Sequence, residues 1–257
     1  FNGRTIATLS ATGQEKFHHG FEPLLPGFRY VPLNDAGALE KAVTAATCAV
    51  MLEPIQGEGG VNCPSPDYLK QVRRICDQAG LLLIFDEVQV GMGRTGRLFA
   101  YQHYGIEPDI MTLAKGLGGG IPIGAMLGTD KIAPSFSPGT HASTFGGNPL
   151  STAAGVATMH TLLQPGFLET CAKRGGYFFD RLTALKKKHP MITGVRGKGL
   201  ILALELAREG AEVVTRCMEQ GVLLNCTMDR VLRFIPPLTI TEGEIDSALT
   251  AVENSLS

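Results

Sequence analysis

The feature that most constrains this chain is the alternation of short, wholly apolar runs with one amphipathic segment. Residues 48–55 (CAVMLEPI) and 81–88 (LLLIFDEV) are continuous apolar stretches ending in charged or turn-forming residues, as expected of strands buried on both faces. Between them come a proline-bearing turn and residues 67–79 (DYLKQVRRICDQA). There Leu69, Val72, Ile75, Cys76 and Ala79 recur at helical spacing, and Gly80 is placed to end the helix. Residues 109–114 (DIMTLA) and 125–129 read as a third and a fourth strand. Strand, helix, strand with short connections is a βαβ unit, and such units build mostly parallel sheets with flanking helices.

Beyond residue 149 the texture changes. A helix rich in small residues (LSTAAGVATMHTLL) leads into a second helical stretch over residues 166–188, followed by short strands at 201–206, 222–225 and 231–235 with helices between and after them. The expected fold class is therefore α/β, with a large domain over residues 1–150 and a smaller α+β domain over residues 151–257. A chain of 257 residues accommodates both.

Composition then removes whole classes of function. Hydrophobic residues make up 44% of the chain and charged residues 18%, with a formal net charge of -1. That balance supports a core and gives no attraction for phosphate backbones or anionic lipid, so neither a nucleic acid nor a membrane is an expected partner. The apolar runs are too short to cross a bilayer. The opening FNGRTIATLS has no basic stretch followed by a long apolar one, which points to the cytoplasm. Six cysteines show no ligand spacing, so neither a disulfide framework nor a metal site is expected. The chain opens on Phe1 in mid-motif, and an upstream part of the parent protein is expected to be missing.

Polar residues gather where the strands end: Glu53 and Glu58, Asp86 and Gln89, and Lys115. In open α/β sheets ligands sit outside the carboxyl ends of the strands, so three segments converge on one crevice. Lys115 closes the strand DIMTLA and is followed at once by the glycine-rich GLGGG, which lets a planar ligand approach closely. A lysine in a desolvated cleft has a depressed pKa and attacks carbonyl carbon. A nucleotide-binding P-loop is ruled out, because Lys115 precedes its glycines and no GxxxxGK[ST] occurs. Asp86 interrupts an apolar strand, where a buried carboxylate needs a cation to meet it. That cation is either a core arginine or a protonated pyridine nitrogen, whose ring then acts as an electron sink. His18-His19 reads as surface, without metal-ligand companions, and Lys186-Lys187-Lys188 as a solvated helix end.

Five motifs in order, FNGRT (from Phe1), EPIQGEGG (from Glu53), DEVQVGMGRTG (from Asp86), TLAKGLGGGIPIGAM (from Thr112) and HASTFGGNPL (from His141), resemble those of the class-III, or ω-, aminotransferases. The resemblance covers essentially the whole chain and implies a fold-type-I large domain, N-terminally incomplete here, that binds pyridoxal 5'-phosphate (PLP). In that likeness Lys115 is the lysine that holds the cofactor and moves a proton, and Asp86 the carboxylate at its ring nitrogen. Phe1 and Val88 enclose the ring and Gln89 neighbours its phenolic oxygen. With Glu87 these form the cofactor-binding set, completed by Thr144, which reaches the phosphate of the other subunit and makes a homodimer obligatory. Arg4 and Ser143 would contact substrate, Arg233 would bind the α-carboxylate of glutamate, and Glu58 would pair with Arg233 when the other amino donor is bound.

The wording of GMGRTGRLFAYQHYGIEPDI and PGTHASTFGGNPL resembles class members that act on N-acetylornithine, with 2-oxoglutarate as acceptor and glutamate as product, in arginine biosynthesis. Ornithine, succinylornithine, 4-aminobutyrate or a carrier-linked lysine are the alternative donors. A non-catalytic relative acting as a dimeric regulatory protein is the alternative of another class. Two departures stand out: Asn2 replaces the usual histidine, and the glycine-threonine turn that anchors the cofactor phosphate has no counterpart in the chain.

Overall fold

The computed structural model describes residues 3–256. Two short helices open it, α1 (Ile6–Ala11) and α2 (Ala36–Ala42), neither carrying enough periodicity to be expected from sequence. Strand β1 (Ala49–Leu52) follows, then α3 (Pro66–Ala79) and β2 (Leu82–Asp86). Helix α3 shows why the local sequence folds as it does. The Ser65 hydroxyl accepts from the Tyr68 amide, Pro66 occupies the first turn, and Gly80 ends the helix in the left-handed region at φ 67°. Its buried stripe of Leu69, Val72, Ile75 and Cys76 packs on Leu83 and Phe85 of β2. Full burial of each large side chain contributes about 1.5–3 kcal/mol.

Strands β3 (Ile110–Leu113) and β4 (Ala125–Gly128) complete a sheet in the order β1-β2-β3-β4. The first two pairings are parallel, as the βαβ pattern requires, and β4 returns antiparallel to β3. Asp86 ends β2 and is register partner to Thr112 on β3. Lys115 follows three residues after Thr112, so both chemical candidates emerge at one edge of the sheet.

Helix α4 (Pro149–Leu162) leads to α5 (Phe167–Lys188) and a second sheet of β5 (Ile192–Lys198), β6 (Ile201–Leu206), β7 (Asn225–Thr227) and β8 (Val231–Phe234), antiparallel throughout in the order β5-β6-β8-β7. Helix α6 (Ala211–Glu219) lies between β6 and β7, and α7 (Glu242–Ser255) closes the described chain. Phe178, Leu182 and Leu185 of α5 pack against Leu202, Leu204 and Leu206 of β6 and against Ile245, Leu249 and Val252 of α7. Two features differ from expectation. Strand β5 was not anticipated, and β7 lies at residues 225–227, not 222–225.

The two sheets share a junction. Ile55, Val61 and Val90 from the first part pack with Ile201, Ala203 and Val231 from the second. Beside it, backbones approach more closely than side chains allow. A Cβ on Gly175 of α5 would lie 2.5 Å from Gly199 backbone, and one on Gly199 would lie 2.4 Å from the Thr95 carbonyl carbon. His18, expected at the surface, is buried and its Nε2 pairs with the Thr12 carbonyl at 2.9 Å. Among the described residues no helix is long and apolar enough to cross a membrane.

Candidate active site

At the carboxyl ends of β2 and β3 opens a cavity of about 670 Å³, lined among others by Glu58, Val88, Gln89, Arg94, Lys115 and Arg233. Asp86, at the end of β2, is the buried acidic group behind the lining residue Val88. The side chain is 4% exposed, and its Oδ1 accepts from the Val88 amide at 2.9 Å. Its Oδ2 is buried with no hydrogen-bond partner among the described residues. Burial, reinforced by the Glu53 carboxylate, pushes the Asp86 pKa up to about 6, against the pull of Val88 and Lys115.

Lys115 is the amine. Its backbone stands at φ 45°, in the left-handed region, directly after β3. The residue is exposed and lines the cavity. Protein packed around the ammonium lowers its pKa by desolvation, against the opposing effect of Glu58, Asp86 and Glu53. Asp86 and Lys115 each act on the titration of the other, which places them in one electrostatic neighbourhood.

The opposite wall is a closed polar triangle. Arg233 Nη1 lies 2.9 Å from Glu58 Oε1 and donates to Gln89 Oε1 at 3.0 Å, while Gln89 Nε2 donates to Glu58 Oε1 at 3.3 Å. Arg233 Nε donates to Asn225 Oδ1 of β7 at 2.9 Å. The Arg233 side chain is 6% exposed and that of Glu58 33%. Burial works to raise the Glu58 carboxyl, but the Arg233 charge, with hydrogen bonds from Arg233 and Gln89, holds it below its ordinary range.

The structure thus unites Lys115, Asp86, Val88, Gln89, Glu58 and Arg233. Among the described residues, Glu87, Arg4, Ser143 and Thr144 do not line this cavity. The Glu87 carboxylate accepts from the Ala100 and Tyr101 amides, each at 2.8 Å, and burial raises its pKa to about 7. Arg4 is exposed on the segment before α1, its guanidinium 4.1 Å from the Phe17 ring centroid. Ser143 and Thr144 lie on an exposed loop, and Phe1 falls outside the described residues.

Sequence reasoning missed Arg94, although its motif was in view. From the cavity wall Arg94 Nη1 donates to the carbonyls of Leu200, at 3.1 Å, and Pro236, tying the loop after β2 to the second sheet. Burial lowers its pKa to about 10.

The fit to PLP can be tested on the residues alone. A ring nitrogen carrying a proton needs a buried acceptor, and Asp86 Oδ2 is one without a partner. An aldehyde needs an amine whose pKa is depressed, and Lys115 answers that description. The residues present fit the group.

Comparison with known proteins agrees. The family model described as aminotransferase class-III matches residues 1–256. An acetylornithine aminotransferase from Caldanaerobacter subterraneus subsp. tengcongensis is 56% identical over 258 residues, covering 100% of this chain and 65% of the relative. Among solved structures, an ornithine aminotransferase from Toxoplasma gondii, with PLP at partial occupancy in its active site, superposes with a TM-score of 0.94 at 41% identity. That match covers 100% of this chain and 62% of the other. An N-acetylornithine aminotransferase from Stenotrophomonas maltophilia gives a TM-score of 0.81 at 38% identity, over 89% of this chain and 62% of that one. The chain spans slightly less than two thirds of the length of such relatives.

Proposed function

The chain belongs to the class-III aminotransferase family, and from that premise we propose that its full-length protein is a PLP-dependent transaminase. It transfers the ω-amino group of N-acetylornithine to 2-oxoglutarate, giving N-acetylglutamate semialdehyde and glutamate, a step of arginine biosynthesis. The observation that carries the reading is Asp86 Oδ2, a buried acceptor without a partner in the cleft that Lys115 enters. PLP, when bound, supplies an aldehyde that takes up the amino group and a cationic ring that draws electrons from the carbon bearing it.

The chain's own groups do the rest. Asp86 holds a proton at the ring nitrogen. The Lys115 Nζ, its pKa lowered by burial, anchors the cofactor while no substrate is present. The same amine would serve to move a proton at the substrate carbon. Val88 packs on the ring and Gln89 orients beside it. Glu58 neutralises Arg233 while the amino donor is bound, and 2-oxoglutarate competes for Arg233 with its own carboxylate. Acetylation blocks the α-amine of the donor, so its ω-amine is the one that would be presented to the cofactor held by Lys115.

The remaining roles belong to the same reading. Arg4 and Ser143 meet substrate and Phe1 meets the ring. The large PLP-binding domain is residues 1–150 and the smaller one 151–257. Thr144 serves the neighbouring subunit of a homodimer, a role supported by the exposed apolar side chains around it: Phe145 is 81% exposed and Leu150 70%. The cytoplasm, which keeps thiols reduced, suits the six free cysteines.

Full-length Lys115→Ala is expected to lose both the visible absorption of lysine-bound PLP and all transamination. A variant that kept the band would overturn the assignment. Ornithine is the second reading, favoured by the likeness to the Toxoplasma gondii enzyme. Turnover of N-acetylornithine and ornithine at matched concentration separates the two, and the acetylated donor is expected to be faster.

A further inference from the structure

Among the described residues three buried side-chain polar atoms lack a hydrogen-bond partner: Arg73 Nε, Asp86 Oδ2 and Thr112 Oγ1. Two of the three belong to register partners on adjacent parallel strands, Asp86 of β2 and Thr112 of β3. Register partners project to the same face of a sheet, and neighbouring strands lie about 4.8 Å apart. At that strand spacing a side-chain rotation or a bridging water suffices to join a hydroxyl to a carboxylate on the same face. The Thr112 backbone is fixed on both sides. Its carbonyl accepts from the Glu87 amide at 3.0 Å, and it pairs in register with Met126 of β4.

We propose that Thr112 is a positioning residue for Asp86, its hydroxyl donating to the carboxylate oxygen that faces the ring nitrogen and so favouring the ionised form. The inference rests on the reading of Asp86 given above. An ionised carboxylate only accepts, so a hydroxyl facing it serves as donor and stabilises the charged state over the protonated one. The other charged groups around Asp86 divide: Glu53 from the end of β1 disfavours its charge, and Lys115 beyond β3 favours it. Against burial and the Glu53 carboxylate, the Val88 amide is, among the described residues, the one hydrogen-bond donor to the Asp86 carboxylate. Thr112 carries the second donor the site requires. On a purely structural view, Thr112 is a β-branched strand residue that valine replaces without effect.

The test uses the full-length protein freed of cofactor and labelled with ¹³C at the aspartate carboxyls, the Asp86 signal being the one absent in Asp86→Asn. Thr112→Val is expected to raise the titration midpoint of that signal by about one pH unit, and to weaken PLP binding near neutral pH by about tenfold. Thr112→Ser is expected to restore both. In an Asp86→Asn background Thr112→Val should have no further effect on PLP binding. If valine disturbs folding, Thr112→Ala is measured in its place with the same expectation. A midpoint unmoved by Thr112→Val, or moved equally by Thr112→Ser, overturns the proposal. A wild-type protein that bound no PLP would overturn the assigned function instead, while the titration of Asp86 would still report on Thr112.

Discussion

Glu58 and Arg233 meet at 2.9 Å on the cavity wall, and Gln89 hydrogen-bonds to both. A buried guanidinium is neutralised here by a carboxylate that remains one third exposed. Such a pair opens at lower energetic cost than one sealed in a core, because water receives the displaced carboxylate.

From that pair follows an asymmetric kinetic effect. Arg233→Lys loses the fork that binds a carboxylate through two N–H groups, and is expected to raise the KM for 2-oxoglutarate by about tenfold to a hundredfold. The KM for the ω-amine should change little. Glu58→Gln removes the competing charge and is expected to lower the KM for 2-oxoglutarate. Half-reactions followed separately by stopped-flow absorbance check both variants. Equal effects on donor and acceptor would contradict the arrangement.

A second prediction concerns pH and stability. The folded pKa of Asp86 is about 6, raised by burial from an ordinary 3.8. A group whose folded pKa is raised contributes stability that is complete below the unfolded value and lost as pH rises through the folded one. Between about pH 4 and pH 7, cofactor-free wild type is therefore expected to lose up to about 2–3 kcal/mol relative to Asp86→Asn. Urea unfolding of both proteins at pH 4, 5.5 and 7.5 measures the difference. Parallel pH dependence in the two would mean that Asp86 is not held uncharged by its surroundings.

The contact of α5, the turn at Gly199 and the loop at Thr95 yields a third. Gly175→Ala would drive a methyl group to 2.5 Å from backbone atoms that no side-chain rotation can relieve. It is expected to destabilise the protein by about 2–4 kcal/mol. Gly176→Ala, where a Cβ meets nothing within 4 Å on the same helix, is expected to be neutral or mildly stabilising. Thermal unfolding midpoints distinguish them, and equal effects at the two positions would refute the close approach.

Much of the first sheet was legible because its signals are local. Residues 81–85 are apolar without interruption, and Ser65, Pro66 and Gly80 mark the ends of α3. Strand β5 was not legible: Ile192–Lys198 carries two glycines and two cations and shows no alternation, so pairing with β6 alone defines it. Strand β7 lies three residues later than the apolar run of residues 222–225 suggested. Its register opposes Asn225 to Arg233, whose Nε–H it accepts, while Leu223 is left 88% exposed. A polar pair overrode hydrophobic patterning. Lys115, Gln89 and Glu58 share one cavity, the convergence that the strand ends suggested, and Arg233, which only the family resemblance had singled out, lines it with them. Glu87, just past the end of β2, accepts with its carboxylate from the amides of Ala100 and Tyr101, contacts that depend on the fold and not on local pattern. The Asp86–Thr112 relation was invisible before the register of β2 on β3 was known.

The left-handed backbone at Lys115 has an evolutionary consequence. An L residue held at φ 45° costs about 1–2 kcal/mol that glycine would not incur. In a library of variants enriched solely for resistance to heat, this codon should drift to glycine. Under enrichment for turnover it should stay lysine, so that endurance and reactivity pull one site in opposite directions.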